Sequence, residues 1–174
     1  YRVAVRLGSA FSSADYAAFA TTSAANIYRK TGKYEKAIEL YEAVLAGDPK
    51  NSHAWNGKAD CFRGKKKYEA AIHAWNQAQK YGMNRASAMT RIGDCYLSMN
   101  DLENAQISYQ ITLAAGYNKN ACLGKLRIYL KKKKKDKAIE TLELLKRNEP
   151  QDPRIASEYK SFIEKYPHVT RNEK

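Results

Sequence analysis

The octapeptide Tyr34-Glu35-Lys36-Ala37-Ile38-Glu39-Leu40-Tyr41 returns 34 residues later as Tyr68-Glu69-Ala70-Ala71-Ile72-His73-Ala74-Trp75. It returns again after another 34 as Leu102-Glu103-Asn104-Ala105-Gln106-Ile107-Ser108-Tyr109, and after 33 as Lys135-Asp136-Lys137-Ala138-Ile139-Glu140-Thr141-Leu142. Nine residues before the alanine of each copy stands an aromatic: Tyr28, Phe62, Tyr96 and Tyr129. The apolar residues around these points recur at helical spacing, and few stretches alternate as a half-buried strand does. With only four Pro and nine Gly in 174 residues, the pattern predicts an all-α chain.

A fixed period near 34 with helix-turn-helix content resembles the tetratricopeptide repeat family. Trp55, Gly93, Pro49 and Pro150 add to the match, which runs from about residue 16 to 166. The resemblance implies a right-handed superhelical array of antiparallel helix pairs, an α-solenoid of about four repeats plus a C-terminal capping helix. The expected units are 16–51, 52–85, 86–118 and 119–151, with the capping helix at 152–166 and a tail at 167–174. Residues 1–15 are either a tail or the remnant of a preceding repeat, because Val3, Leu7 and Ala10 share the register of Ala37, Tyr41 and Val44. Ser12 to Asp15 then supply a connection and a helix N-cap.

The four alanines belong where two helices approach too closely for a larger side chain, with the aromatics filling the space beside them. A single unit cannot bury its apolar face, so neighbours must stack. One residue is missing between Ala105 and Ala138, which places a tighter turn near 114–119. Lys135 and Leu142 replace aromatics in the fourth copy. In the last segment Ile155, Tyr159, Phe162 and Ile163 share one face, as a cap requires.

The 44% hydrophobic content, with 11% aromatics and 13 Tyr, supplies a continuous core and excludes a disordered chain. No run approaches the ~18 apolar residues of a membrane span. Cys61, Cys95 and Cys122 form no Cys-x-x-Cys pair and have no His at ligand spacing, so they read as reduced core residues. Cys61 and Cys95 hold equivalent places in adjacent units, where stacked helices stand about 8–10 Å apart, too far for the ~7 Å a disulfide spans. His53, His73 and His168 lie apart with no activating neighbour, and no Gly-rich loop cradles a phosphate. The chain is therefore expected to be no enzyme, with no cofactor and no metal. Glu35, Glu39 and Glu42 read as solvated or paired with Lys36. No charged-then-apolar leader opens the sequence at Tyr1, and a leader or initiator Met is expected to have been removed or to lie outside it. Unpaired cysteines favour a reducing cytoplasm, while a periplasmic or membrane-anchored place in a longer chain stays open.

In the family that the chain resembles, the first helix of each unit lines a concave groove that holds a peptide. The residues this implies are Asn26, Arg29, Asn56, Asp60, Arg63, Thr90, Arg91, Asp94 and Arg127, joined by the apolar Leu123 and Leu130 in the fourth unit. Asn26 and Asn56 are expected to hydrogen-bond peptide backbone while Arg63 or Arg91 meets a carboxylate. Members that dock the acidic C-terminal tails of heat-shock chaperones carry a clamp of Lys and Asn, Asn, then Lys and Arg. Here only Asn26 and Arg91 match, and Thr22, Gly57 and Ser87 fill the other places.

A second feature is a basic edge at the turns between paired helices, formed by Lys65, Lys66 and Lys67 and by Lys131, Lys132, Lys133, Lys134 and Lys135. Residues 119 to 150 hold 11 basic and 4 acidic residues, so +7 of the chain's net +13. Such charge favours an acidic protein, an anionic surface or nucleic acid. The leading expectation is a protein-interaction scaffold that binds a peptide or partner protein. An RNA- or anionic-surface-binding repeat protein is the first alternative, and a self-associating subunit of a larger assembly is the second. Nucleic acid is the weaker partner because no stacking aromatic interleaves the lysines. Neither the partner nor the oligomeric state is legible.

Overall fold

The computed structural model describes residues 13–168. The alternatives for the segment before Ser13, and the tail beyond His168, lie outside the described residues. All regular structure among the described residues is helical: α1 Ser13–Lys30, α2 Tyr34–Gly47, α3 Ser52–Gly64, α4 Tyr68–Lys80, α5 Arg85–Ser98, α6 Leu102–Ala114, α7 Lys119–Lys131, α8 Lys135–Asn148 and α9 Pro153–Lys165. The chain divides into two compact units, Tyr1–Met83 and Asn84–Lys174. In the first, α1 packs on α2, α2 on α3 and α3 on α4; in the second, α5 to α9 pack successively in the same way.

Two local devices set the helix ends. The first helices of successive pairs start behind Asn51, Asn84, Asn118 and Asp152, whose side chains accept backbone N–H bonds from Ala54, Ser87, Ala121 and Ile155. Each such cap is worth about 1 kcal/mol. Within each pair the turn passes through the left-handed region at Gly32 (φ 75°), Lys66 (59°), Asn100 (61°) and Lys133 (54°). The next N–H then bonds back five residues, as Lys33 N to Tyr28 O and Lys134 N to Tyr129 O, each 2.9 Å. Glycine takes this conformation freely. A lysine there carries a steric cost of about 1–2 kcal/mol.

The repeat register is the core register. Ala37, Ala71, Ala105 and Ala138 are fully buried, and so, four residues on, are Tyr41, Trp75, Tyr109 and Leu142. In the first unit the Tyr41 ring lies against Gly57 of α3, and in the second the Tyr109 ring lies against Gly93 of α5 and Gly124 of α7. A Cβ at Gly57 or Gly124 would stand well inside the ring's van der Waals envelope. The second unit closes with α9, where Ile155 and Phe162 join Cys122, Leu126, Leu142 and Leu145, and Tyr159 and Ile163 pack alongside.

Two expectations need correction. The turn at 115–118 is not shorter than its siblings: 48–51, 81–84 and 149–152 also have four residues. Against the preceding interval the missing residue is taken up in helix length, since α4 and α6 both close nine residues after their alanine whereas α7 has 13 residues where α5 has 14. Two of the three acidic residues of α2 pair across helices and not with Lys36, while Glu39 is exposed. Glu35 bonds Lys65, and Glu42 bonds Lys58 at 2.8 Å.

Candidate functional site

In the first unit the expected groove residues hold one another. Asp60, its side chain only 9% exposed, accepts from Arg29 Nη1 and Arg63 Nη2, both at 3.1 Å. Arg63 in turn lies over the Trp75 ring at 5.5 Å. The two asparagines expected to meet a peptide backbone have their carbonyl oxygens engaged. Asn26 Oδ1 accepts from the Tyr41 hydroxyl at 2.8 Å, and Asn56 Oδ1 from Trp75 Nε1 at 3.0 Å. A buried aromatic on the second helix thus satisfies its polar atom on a first-helix side chain, as a buried Tyr or Trp must.

The second unit repeats the device and then departs from it. The Tyr109 hydroxyl donates to Asp94 Oδ1 at 2.7 Å. Thr90 does not line a groove: it is 7% exposed, and its hydroxyl bonds Ala86 O at 2.8 Å and meets Thr112 Oγ1 at 3.2 Å. Its polar need is met inside the α5–α6 contact, which is why a residue in groove register sinks into the core. Arg91 is half-buried and Arg127 exposed.

Between α7 and α9 of this unit lies a cleft of about 540 Å³, with Leu123, Arg127 and Leu130 on one side and Ser157, Glu158 and Ser161 on the other. A second hollow of about 750 Å³ adjoins it through Leu123, Arg127 and Glu158. The α9 side of the cleft was not foreseen. Its signal is that Pro153 opens α9 34 residues after Lys119 opens α7, which puts the capping helix in the place of a first helix.

The lysines occupy the α3–α4 and α7–α8 turns. Lys66, Lys67, Lys133, Lys134 and Lys135 are exposed. Lys65 is not a free edge charge, being paired with Glu35. Lys131 Nζ donates to Asn100 Oδ1 at 3.0 Å, and Lys135 Nζ stands 4.3 Å over the Tyr166 ring. Among the described residues no group of three or more His, Cys, Asp or Glu is placed to hold a metal, and no helix is long and apolar enough to cross a membrane.

The three cysteines are buried thiols in no disulfide. Desolvation pushes the Cys61 thiol up to about 11 and raises Cys122, Tyr41 and Tyr109 as well. The fold therefore favours the protonated forms. Their contribution to stability is fully present below the unfolded-chain value of about 8.5 for Cys, and is lost as pH rises towards the folded value. Urea midpoints are expected to fall steadily from pH 8 to pH 11, and the native thiols to react with a disulfide reagent far more slowly than in urea. A flat profile or fast native labelling would contradict this placement.

Helix pairs stacked on one alanine–aromatic register define a helical-hairpin repeat protein. Profiles described as tetratricopeptide repeat match residues 22–82, 86–110 and 120–152, and the chain belongs to the tetratricopeptide repeat family. It is 36% identical over 95 residues to the probable UDP-N-acetylglucosamine–peptide N-acetylglucosaminyltransferase SPINDLY of Arabidopsis thaliana, covering 55% of this chain but only 10% of that one. A tetratricopeptide repeat protein from Parabacteroides merdae superposes with a TM-score of 0.73 at 20% identity, over 93% of this chain and 62% of the other. The second tetratricopeptide domain of human RPAP3, solved with the HSP70 peptide SGPTIEEVD, gives 0.60 at 27% identity, over 66% and 97%.

Proposed function

We propose that the chain is a non-catalytic protein-interaction scaffold whose partner seats in the α7–α9 cleft. What carries this reading is the contrast between the two units. In the first, the polar first-helix residues are joined into the Arg29–Asp60–Arg63 and Asn56–Trp75 contacts. In the second, Arg127 is exposed beside an exposed Leu130, and Glu158 faces them from α9. A concave strip with apolar ground and a few charges of both signs suits a peptide or helix of another protein. The enzymatic part of SPINDLY lends nothing here, since the match covers a tenth of that protein.

The RPAP3 domain raises a chaperone tail as the alternative ligand. The residues at the clamp places argue against it. Thr22 Oγ1 bonds the Ala18 carbonyl at 2.8 Å, Asn26 holds Tyr41, and Tyr41 fills the space an Asn at position 57 would need. Calorimetry with SGPTIEEVD is expected to show binding no tighter than ~100 µM; micromolar affinity would reverse the assignment. For the cleft itself, affinity capture by the intact chain and by Arg127→Ala/Glu158→Ala should differ in specific partners, since both side chains are exposed and their loss spares the core. Identical captured sets would remove the cleft from the reading.

A further inference from the structure

We infer that the tip of the α7–α8 hairpin is a second docking surface, adjoining the cleft but separate from it, for an internal acidic polypeptide segment bearing one apolar side chain.

The surface joins a charge and a recess. Five consecutive lysines run from Lys131, the last residue of α7, through the turn to Lys135, the first of α8, and Lys165 comes from the end of α9 to the same Tyr166 ring as Lys135. Lys133 stands in the left-handed region with its charge outward, as Lys66 does in the α3–α4 turn, while Gly32 and Asn100 hold the same place in the other two turns. At its foot lies a recess of about 330 Å³ bounded by Tyr129, Leu130, Lys133, Lys135 and Tyr166. Its size is at the low end for a ligand pocket and suits a single side chain. Tyr129 is buried and Leu130 is 46% exposed, so the floor is apolar while the rim is ammonium. An apolar side chain entering it would be covered by the lysine stems, and carboxylates on either side of it would meet their heads.

The occupant's chemistry follows from what the aromatic offers. Tyr166 is packed against Phe162 with ring centroids 4.9 Å apart and carries Lys135 at 4.3 Å and Lys165 at 5.6 Å. A ring so engaged is a poor platform for a nucleic acid base, which single-strand binding requires, and the turn holds no Arg for bidentate phosphate contacts. Lysine point charges over an apolar recess fit carboxylates around a hydrophobic residue. Lys131 on Asn100 and Lys135 on Tyr166 are held in place before any partner arrives.

The test uses a fluorescent, C-terminally amidated peptide with one Leu flanked by three Glu on each side, and a twin with Ser for Leu. A 12-nucleotide single-stranded RNA and phosphatidylserine vesicles serve as rival anions. Anisotropy at low salt should show the Leu peptide binding at least about fivefold tighter than its twin, and weakening as salt rises. Lys133→Gly relieves the turn while removing the charge, so weaker binding by a fold that is at least as stable supports the site. Leu130→Ser should weaken the Leu peptide alone, and Leu123→Ser, inside the cleft, should leave the affinity of both peptides as it is. The proposal is overturned if no peptide binds at low salt, if the Ser twin binds equally, or if Lys133→Gly binds as the wild type. It is likewise overturned if Leu123→Ser weakens the peptide as Leu130→Ser does, or if RNA or vesicles bind more tightly.

Discussion

Gly57→Asn, the substitution that would restore one clamp residue, is expected to destabilise the first unit by about 3 kcal/mol rather than create a peptide site. Gly57 lies in α3 against the Tyr41 ring of α2, and any Cβ there overlaps Cζ, Cε1 and the hydroxyl. The ring cannot swing aside, because Tyr41 is fully buried and its hydroxyl is bonded to Asn26. Relief requires α2 and α3 to part, which opens the cluster of Ala37, Tyr41, Val44, Ala54 and Cys61. Overpacking of this kind costs typically 1–3 kcal/mol and sometimes more, a large part of the 5–15 kcal/mol that holds a domain together. Urea denaturation of Gly57→Ala, Tyr41→Ala and the double variant provides the check. The two changes should be strongly non-additive, the alanine at 57 becoming tolerable once the ring is gone. Additive losses would mean that Gly57 is required for its backbone and not for the space it leaves.

That glycine also marks where the sequence could and could not be read. The alanines at 37, 71, 105 and 138 sit where the period placed them, because a buried close approach tolerates one residue type and the period exposes it. Gly57 and Gly124 hold one register place, 67 residues apart, but Arg91 stands between them in the series, so no repeat announced them. Only the ring positions show why they are Gly. The candidate site was less legible for a similar reason. Helical register says which face a residue is on, not whether a neighbour from another helix has already claimed it. Thr90 is in groove register yet finds Thr112 and the Ala86 carbonyl in the core. Asn26 and Asn56 bond aromatics 15 and 19 residues further along, on the second helix of the same pair. The α9 wall of the cleft was missed because that segment reads as a cap with one wet side. Its wet side is what faces α7 across the cleft.

Trp75→Ala is expected to cost about 3–5 kcal/mol, the range for deleting a large buried aromatic. Trp75 is the largest fully buried side chain of the chain's described residues, and three separate losses coincide on it. Its volume in α4 disappears from beside Ala71 and Ala78, which are too small to fill the gap. Asn56 Oδ1 loses the indole N–H that satisfies it, and an unpaired half-buried carbonyl carries a cost of its own. Arg63 loses the ring beneath its guanidinium and keeps only Asp60. Trp75→Phe separates these terms, since a phenyl ring retains most of the packing and the face under Arg63 but cannot donate to Asn56. It should cost about 1–2 kcal/mol. Trp55, whose own indole donates to the Pro49 carbonyl at 2.9 Å, remains in both variants as a fluorescent reporter of the first unit. Its emission, followed through urea alongside helical circular dichroism, gives the two midpoints. If the Phe variant falls as far as the Ala variant, the hydrogen bond to Asn56 and not the packed volume dominates, and Asn56→Ala should then reproduce the loss.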